Sequence, residues 1–229
     1  MVNNLSEYIK KHPKVSLSAV VFSYRNNIIN SLNLNIIGSD KFAFIKDDLK
    51  NIEMFLLENK ENIISYEIFK YSINQATSLL DYENKNYRIE PGAIIRELVT
   101  IGDQTVILMN ATINIGASIG DKTMIDMGAI IGSRAIIGSN CHIGANAVIA
   151  GVLEPESSKP VIIEDNVFIG ANSVVLEGVT VGKNSIIGAM TLVNKDVPPN
   201  SVVIGVPGKI IKNVDESVLN KCQNNSSLR

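Results

Sequence analysis

Asp126 and His142 are the two side chains of this sequence whose types and spacing suit proton transfer, standing sixteen residues apart. A carboxylate beside an imidazole can steady the ring while it takes up or releases a proton. Glu154, in the segment VLEP, is a third acid downstream of them. The chain holds two histidines, and its two cysteines are Cys141 and Cys222. Those counts exclude a three-histidine metal site and a four-cysteine zinc site.

The spacing of Asp126 and His142 gains meaning from the repeat that contains them. From Ile89 the chain reads in sixes, among them INIGAS, IGDKTM, IDMGAI, IGSRAI, IGSNCH and IGANAV, and Ile opens ten units in succession up to Ile143. The register breaks after Ile149 and resumes at Ile163 with IEDNVF and IGANSV. A period of six fits neither 3.6 nor 3.5 residues per turn, so this is no helix pattern. The fifth position is small or β-branched, as at Ala111, Thr123, Ala135, Cys141 and Ser173. It reads as a crowded inward site beside a large aliphatic. The fourth position is often Gly or Asn, as at Gly116, Gly128, Asn140 and Asn172, residues that tolerate a left-handed turn. A short strand plus a turn, repeated, builds a parallel β-solenoid. Three sixes close a coil of eighteen residues, with coils stacked about 4.8 Å apart. Residue 144 then lies over Asp126, and His142 stands two places earlier. Their Cα atoms are at most about 8 Å apart, while the period leaves the side-chain directions open. Asp126 occupies the second position of its six, where Gly is commonest.

The elements around the repeat follow from composition and pattern. The chain has 229 residues, a net charge of −2, 45% apolar and 19% charged residues. That balance fits a folded chain and gives no basic surface for nucleic acid. No apolar run reaches about 18 residues, so no membrane partner is expected. The opening MVNNLSEYIKKHPK lacks a long apolar stretch, and a soluble cytoplasmic protein is the expectation. Three domains are expected: residues 1–87 as a small α+β domain, 88–204 as the solenoid with an inserted loop at 150–162, and 205–229 as a C-terminal cap and tail. VSLSAVVFSY predicts a strand, and the segment from Asp47 a helix with Leu49, Ile52, Phe55 and Leu56 on one face. Residues 62–75 fit helix or strand. The tail from Val214 predicts a short helix with Val214, Val218 and Leu219 inward. The loop is expected to fold over a neighbouring groove. A solenoid of about five coils is expected to leave flat faces, including Val99, Val106 and Ile107, for threefold packing.

The sixes resemble those of the hexapeptide-repeat acyltransferases, whose fold is a left-handed parallel β-helix; the handedness comes from that resemblance. The segments from Thr112 to Pro155 and from Pro160 to Ala189 are similar to the core of the tetrahydrodipicolinate N-acyltransferases. RIEPGAIIRE, from Arg88, and KDVPPNSVVIGVPGKII, from Lys195, look like the N-acetyltransferase branch of that family. The likeness covers residues 88–212. It implies acetyl-CoA-dependent N-acetylation of tetrahydrodipicolinate, a step of lysine and diaminopimelate synthesis, by direct acyl transfer with a general base. It also implies a homotrimer with acyl-CoA between adjacent solenoids. The small-molecule acceptor is a cyclic dicarboxylate imine or its open amino-keto form. No metal and no permanently bound cofactor take part.

The same resemblance assigns roles. Asp126, in the TMID segment, handles the acceptor. His142 is the general base, as histidine often is in this fold, and Glu154 reaches the acceptor from the loop. Arg88, Arg96 and Arg134 are candidates to meet the acceptor carboxylates. Backbone groups of Gly188, Ala189 and Gly205 face the pantetheine, and Lys195, Lys209 and Lys212 face the CoA phosphates. The chain departs from the pattern at Met190, where relatives carry Gly, and at Gly208, where they carry Ala. It also has Val174, with Glu177 three residues on, where the succinyl branch carries a glutamate. The open alternatives are a succinyl-CoA donor, another amine acceptor, and a non-catalytic scaffold.

Overall fold

The computed structural model describes residues 4–39, 41–81, 86–153 and 158–215. The chain divides into two compact units. One holds residues 9–77; the other holds the described residues up to Tyr8 and from Ser78 onward.

The smaller unit is an antiparallel sheet with one packed helix. Its strands are β1 (Leu17–Tyr24), β2 (Ile36–Ser39), β3 (Phe42–Asp48) and β4 (Ile63–Lys70), in the order β2-β3-β1-β4. A short helix, α1 (Leu5–Lys11), precedes β1, and α2 (Leu49–Glu58) follows β3. Asp48 caps α2 by accepting from the Lys50 N–H, which satisfies a donor the helix cannot. Ile52, Phe55 and Leu56 of α2 pack on Val20, Phe22 and Ile45 of the sheet. The stretch that fitted helix or strand is β4. It is an edge strand, and its pairing with β1 decides its conformation.

The larger unit is a parallel β-solenoid of about six turns, one more than the sequence spacing suggests. Its strands, two residues long except for the last two, form three sheets of five, six and eight strands, every third strand pairing along the repeat. The register steps by eighteen residues, as in Met124↔His142, and by twenty-six across the insertion, as in His142↔Phe168. The opening isoleucines of the central sixes, Ile107 to Ile149, point into the core with at most 2% exposure. The fifth-position residues fill the space between them. Where they carry hydroxyls, these donate to the next coil: Thr105 to Gly120 O, Thr123 to Gly138 O and Ser173 to Gly188 O. The fourth position is left-handed all along the repeat. Leu98, Gln104, Lys122, Arg134 and Met190 hold positive φ there alongside the expected Gly and Asn. The turn therefore overrides residue preference at five places.

Two expectations change, and one falls outside the described residues. Val99 and Ile107 lie in the core and Val106 is 1% exposed, so none of them forms an open face. The exposed apolar residues of the sheets include instead Ile94, Ile130 and Ile136, and Ile204, Ile210 and Ile211 on the last two strands. Lys209–Asn213 pairs antiparallel with Ser201–Ile204 and extends the eight-stranded sheet. Val218 and Leu219 of the expected tail helix, and Cys222, lie outside the described residues.

Candidate active site

His142 projects from the outer face of the eight-stranded sheet, and Asp126 opens the turn after the strand Met124–Ile125 one coil below. The ladder bond from Asp126 N to Ile143 O (2.9 Å) places that turn beside His142. His142 Nε2 stands 3.6 Å from Asp126 Oδ2, and the two side chains are 21% and 19% exposed. The other carboxylate oxygen, Oδ1, accepts from the Met127 N–H at 2.7 Å, which fixes the carboxylate. The imidazole is thereby held next to a negative charge at the edge of solvent. Such a pair can take a proton from a bound nucleophile and stabilise the resulting imidazolium.

Above Asp126 the same turn changes character. Its second and third positions carry Gly144–Ala145, Gly170–Ala171 and Gly188–Ala189 in successive coils. The N–H groups of Gly144, Gly170 and Gly188 are consumed by the ladder, donating to Ile169 O, Ile187 O and Val203 O. The N–H of Gly188, expected to face the pantetheine, thus serves the next coil. The Gly205 N–H is turned toward Thr191 Oγ1 at 3.3 Å. Ala145, Ala171 and Ala189 carry N–H groups that donate to no described partner. They form a column that starts level with His142. Met190 stands at its far end with φ 58° and 71% exposure.

The arginines do not gather around the pair within one chain. Arg96 and Arg134 both sit in turns that follow the six-stranded sheet, on the edge of the triangular coil away from the His142 face. Arg96 Nη1 reaches Asn114 Oδ1 at 3.4 Å, and Arg134 occupies a left-handed turn position. The insertion leaves from this same edge, after Val148–Ile149. Arg88 shares the sheet of His142 but lies three coils below it, and it pairs with Glu90 at 3.3 Å. Lys209 and Lys212 lie on the last strand of the eight-stranded sheet, Lys212 bonded to Asp215 at 2.6 Å. Lys195 follows Leu192–Val193 of the six-stranded sheet. Glu154 lies outside the described residues. Cys141 is buried, and burial pushes its thiol up to about 11, so it is no nucleophile.

One contributor escaped the sequence reading. Phe168 stacks on the imidazole of His142 with ring centroids 4.8 Å apart and planes 18° apart. Phe168 ends IEDNVF as His142 ends IGSNCH, so counting sixes across the insertion finds the match.

The comparisons with known proteins agree with the repeat fold. The family model described as hexapeptide repeat of succinyl-transferase matches residues 98–133 and 160–193. That described as bacterial transferase hexapeptide (six repeats) matches 116–151. A 2,3,4,5-tetrahydropyridine-2,6-dicarboxylate N-acetyltransferase of Clostridium perfringens is 46% identical over 228 residues, covering 98% of this chain and 95% of that one. The chain belongs to the 2,3,4,5-tetrahydropyridine-2,6-dicarboxylate N-acetyltransferase family. A relative of the same name from Enterococcus faecalis is 48% identical, covering 86% of this chain and 84% of that one. Among solved structures, a mutant perosamine N-acetyltransferase from Caulobacter crescentus, in complex with CoA and GDP-perosamine, superposes with a TM-score of 0.51. It is 30% identical, and the match spans 56% of this chain and 58% of that one. Among the described residues, no helix is long and apolar enough to cross a membrane.

Proposed function

We propose that the chain transfers the acetyl group of acetyl-CoA to the amine derived from 2,3,4,5-tetrahydropyridine-2,6-dicarboxylate. The observation that carries the reading is the His142–Asp126 pair at 3.6 Å, at the foot of a column of N–H groups that donate to no partner among the described residues. The family membership names the acceptor and the donor group.

The chemistry fits the pair. Ring positions 2 to 5 of the acceptor are saturated, so its double bond joins the nitrogen to carbon 6. Water adds across that bond and opens the ring to a primary amine and a ketone. The amine attacks the thioester carbon and a C–N bond forms. The imidazole of His142 takes the amine proton, and Asp126 opposes the positive charge that grows on the ring. The intermediate collapses, the C–S bond breaks, and the proton passes to the departing thiolate. The N–H groups of Ala145, Ala171 and Ala189 suit the amide carbonyls of a pantetheine arm running down to His142. Lys209 and Lys212, at the other end of the same sheet, suit its phosphates. Acetyl-CoA is a co-substrate in this reading, with no resident cofactor.

The reading includes a homotrimer. Arg96 and Arg134 stand on the edge away from His142, so they reach an acceptor carboxylate there only from a neighbouring copy. The exposed Ile94, Ile130 and Ile136 supply apolar surface for such packing. Glu154 enters the reading as an acid of the inserted segment that reaches the acceptor. Arg88, already paired with Glu90, is left as a contributor to the outer rim. The cytoplasm, where acetyl-CoA is consumed in biosynthesis, is the place of action.

The test is thiol release, followed colorimetrically, with the acceptor and either acetyl-CoA or succinyl-CoA. Preferred turnover with acetyl-CoA, lost in His142→Ala, is the expected result. Turnover with succinyl-CoA alone would overturn the donor; this second reading is favoured by the match to the hexapeptide repeat of succinyl-transferase. No turnover with either donor would overturn the acceptor.

A further inference from the structure

We infer that Phe168 is a positioning residue for the reaction: its ring holds the imidazole of His142 in the orientation that meets Asp126 and supports the charge the imidazole carries once protonated. The inference rests on the reading that His142 takes the amine proton.

The ladder register sets His142 directly between two neighbours on the sheet face, Met124 one coil below and Phe168 one coil above. Met124 is 7% exposed and closes the lower side. Phe168 closes the upper side with the near-parallel stack at 4.8 Å. Ile186, also 7% exposed, stands over Phe168 in the next coil and backs it. An outward side chain on a solenoid face otherwise rotates about its first two torsions. Here rotation toward either neighbouring coil is blocked, and the ring plane that remains puts Nε2 3.6 Å from Asp126 Oδ2.

The stack also bears on charge. A cation over the face of an aromatic ring is attracted by its quadrupole, so Phe168 favours imidazolium over neutral imidazole. Asp126 acts in the same direction from the turn below. Along this sheet face the next charged side chains among the described residues are Arg88 below, paired with Glu90 at 3.3 Å, and Lys212 above, bonded to Asp215 at 2.6 Å, while Met124, Phe168 and Ile186 carry no charge. Substitution at Phe168 alters the aromatic aid and leaves the carboxylate of Asp126 in place.

The test compares Phe168→Leu, which keeps apolar volume and removes the ring, with Phe168→Tyr, which keeps the ring. The chain has two histidines, so the His142 imidazole is readily assigned by proton–carbon NMR. In the native protein its ring protons should lie upfield, shifted by the Phe168 ring current, and should return downfield in Phe168→Leu. The Leu variant should lose about three- to tenfold in kcat with little change in KM for acetyl-CoA. Its acid limb of activity should move to lower pH, because the imidazolium has lost one of its supports. Phe168→Tyr should recover most of the rate and the upfield shift. An unchanged kcat, pH profile and His142 spectrum in Phe168→Leu would overturn the inference. Full turnover in His142→Ala would instead overturn the proton-transfer reading beneath it, whatever Phe168 does.

Discussion

Replacing Asp126 with Asn isolates the charge of the pair from its shape. Asn keeps an oxygen to accept from the Met127 N–H, a bond of 2.7 Å in the native turn, so the turn survives. What is lost is the attraction between a carboxylate and an imidazolium 3.6 Å apart. Coulomb's law at that distance gives about 1.2 kcal/mol in bulk water and about 4.6 kcal/mol at an effective dielectric of about 20. In rate these correspond to about sevenfold and about 2,000-fold. The side chains are 21% and 19% exposed, which places the pair well away from the bulk-water limit. The expected loss in kcat is therefore on the order of 100-fold. The assay is thiol release at saturating acetyl-CoA and acceptor, with circular dichroism to show that the solenoid is intact. The KM for acetyl-CoA should hardly move, since the carboxylate lies below the Gly–Ala column. A variant within twofold of the native kcat, with His142→Ala inactive, would refute the carboxylate's role while leaving the base in place.

The remaining predictions concern stability as much as rate. Cys141 should resist alkylation in the folded protein and react on unfolding, as a peptide map by mass spectrometry will show. Its thiol is raised from 9.0 to about 11 by burial, so the folded state holds its proton longer. The stability this contributes is present below about pH 9 and is lost as pH rises through about 11; a melting temperature that stays flat across that window would refute it. Asn166→Ala should cost roughly 2 kcal/mol in urea unfolding, with activity per folded chain unchanged. It removes amide bonds to Asn140 at 2.8 Å and Asn184 at 3.2 Å from a left-handed turn with φ 59°. Met190→Asn should stabilise by about 1 kcal/mol, because Asn accepts the left-handed φ of 58° better than Met does. A lower urea midpoint would show that the Met190 side chain packs rather than strains.

Much of the solenoid is legible in the order of the residues because its geometry is local. A strand of two residues and a turn of four repeat with one inward aliphatic, one small inward neighbour and one left-handed residue. Each requirement excludes most side chains, so Ile125, Ala129 and Gly128 announce their places. The spacing of Asp126 and His142 follows from the same arithmetic, since eighteen residues make one coil. The smaller unit is legible where local chemistry decides, as in α2 behind its Asp48 cap. It is illegible in β4, whose conformation comes from pairing with β1.

The site is less legible, for physical reasons that concern distance along the chain. Phe168 reaches His142 by a step of twenty-six residues instead of eighteen, because the insertion adds eight between the coils. Spacing by eighteen hides that contact. Arg96 and Arg134 belong, by type, to any site for a dicarboxylate. Only the closing of the coil into three sheets shows that they turn on the edge away from His142. Gly188 has the composition of a ligand-facing turn, yet its N–H is spent on Val203 O in the next coil. The sequence by itself determined the repeat, the inward residues and the spacing of the acid and the histidine. The tertiary structure decided which side chains meet, because stacking the coils consumes some backbone donors, frees others, and sets side-chain direction through neighbours that lie a whole coil away.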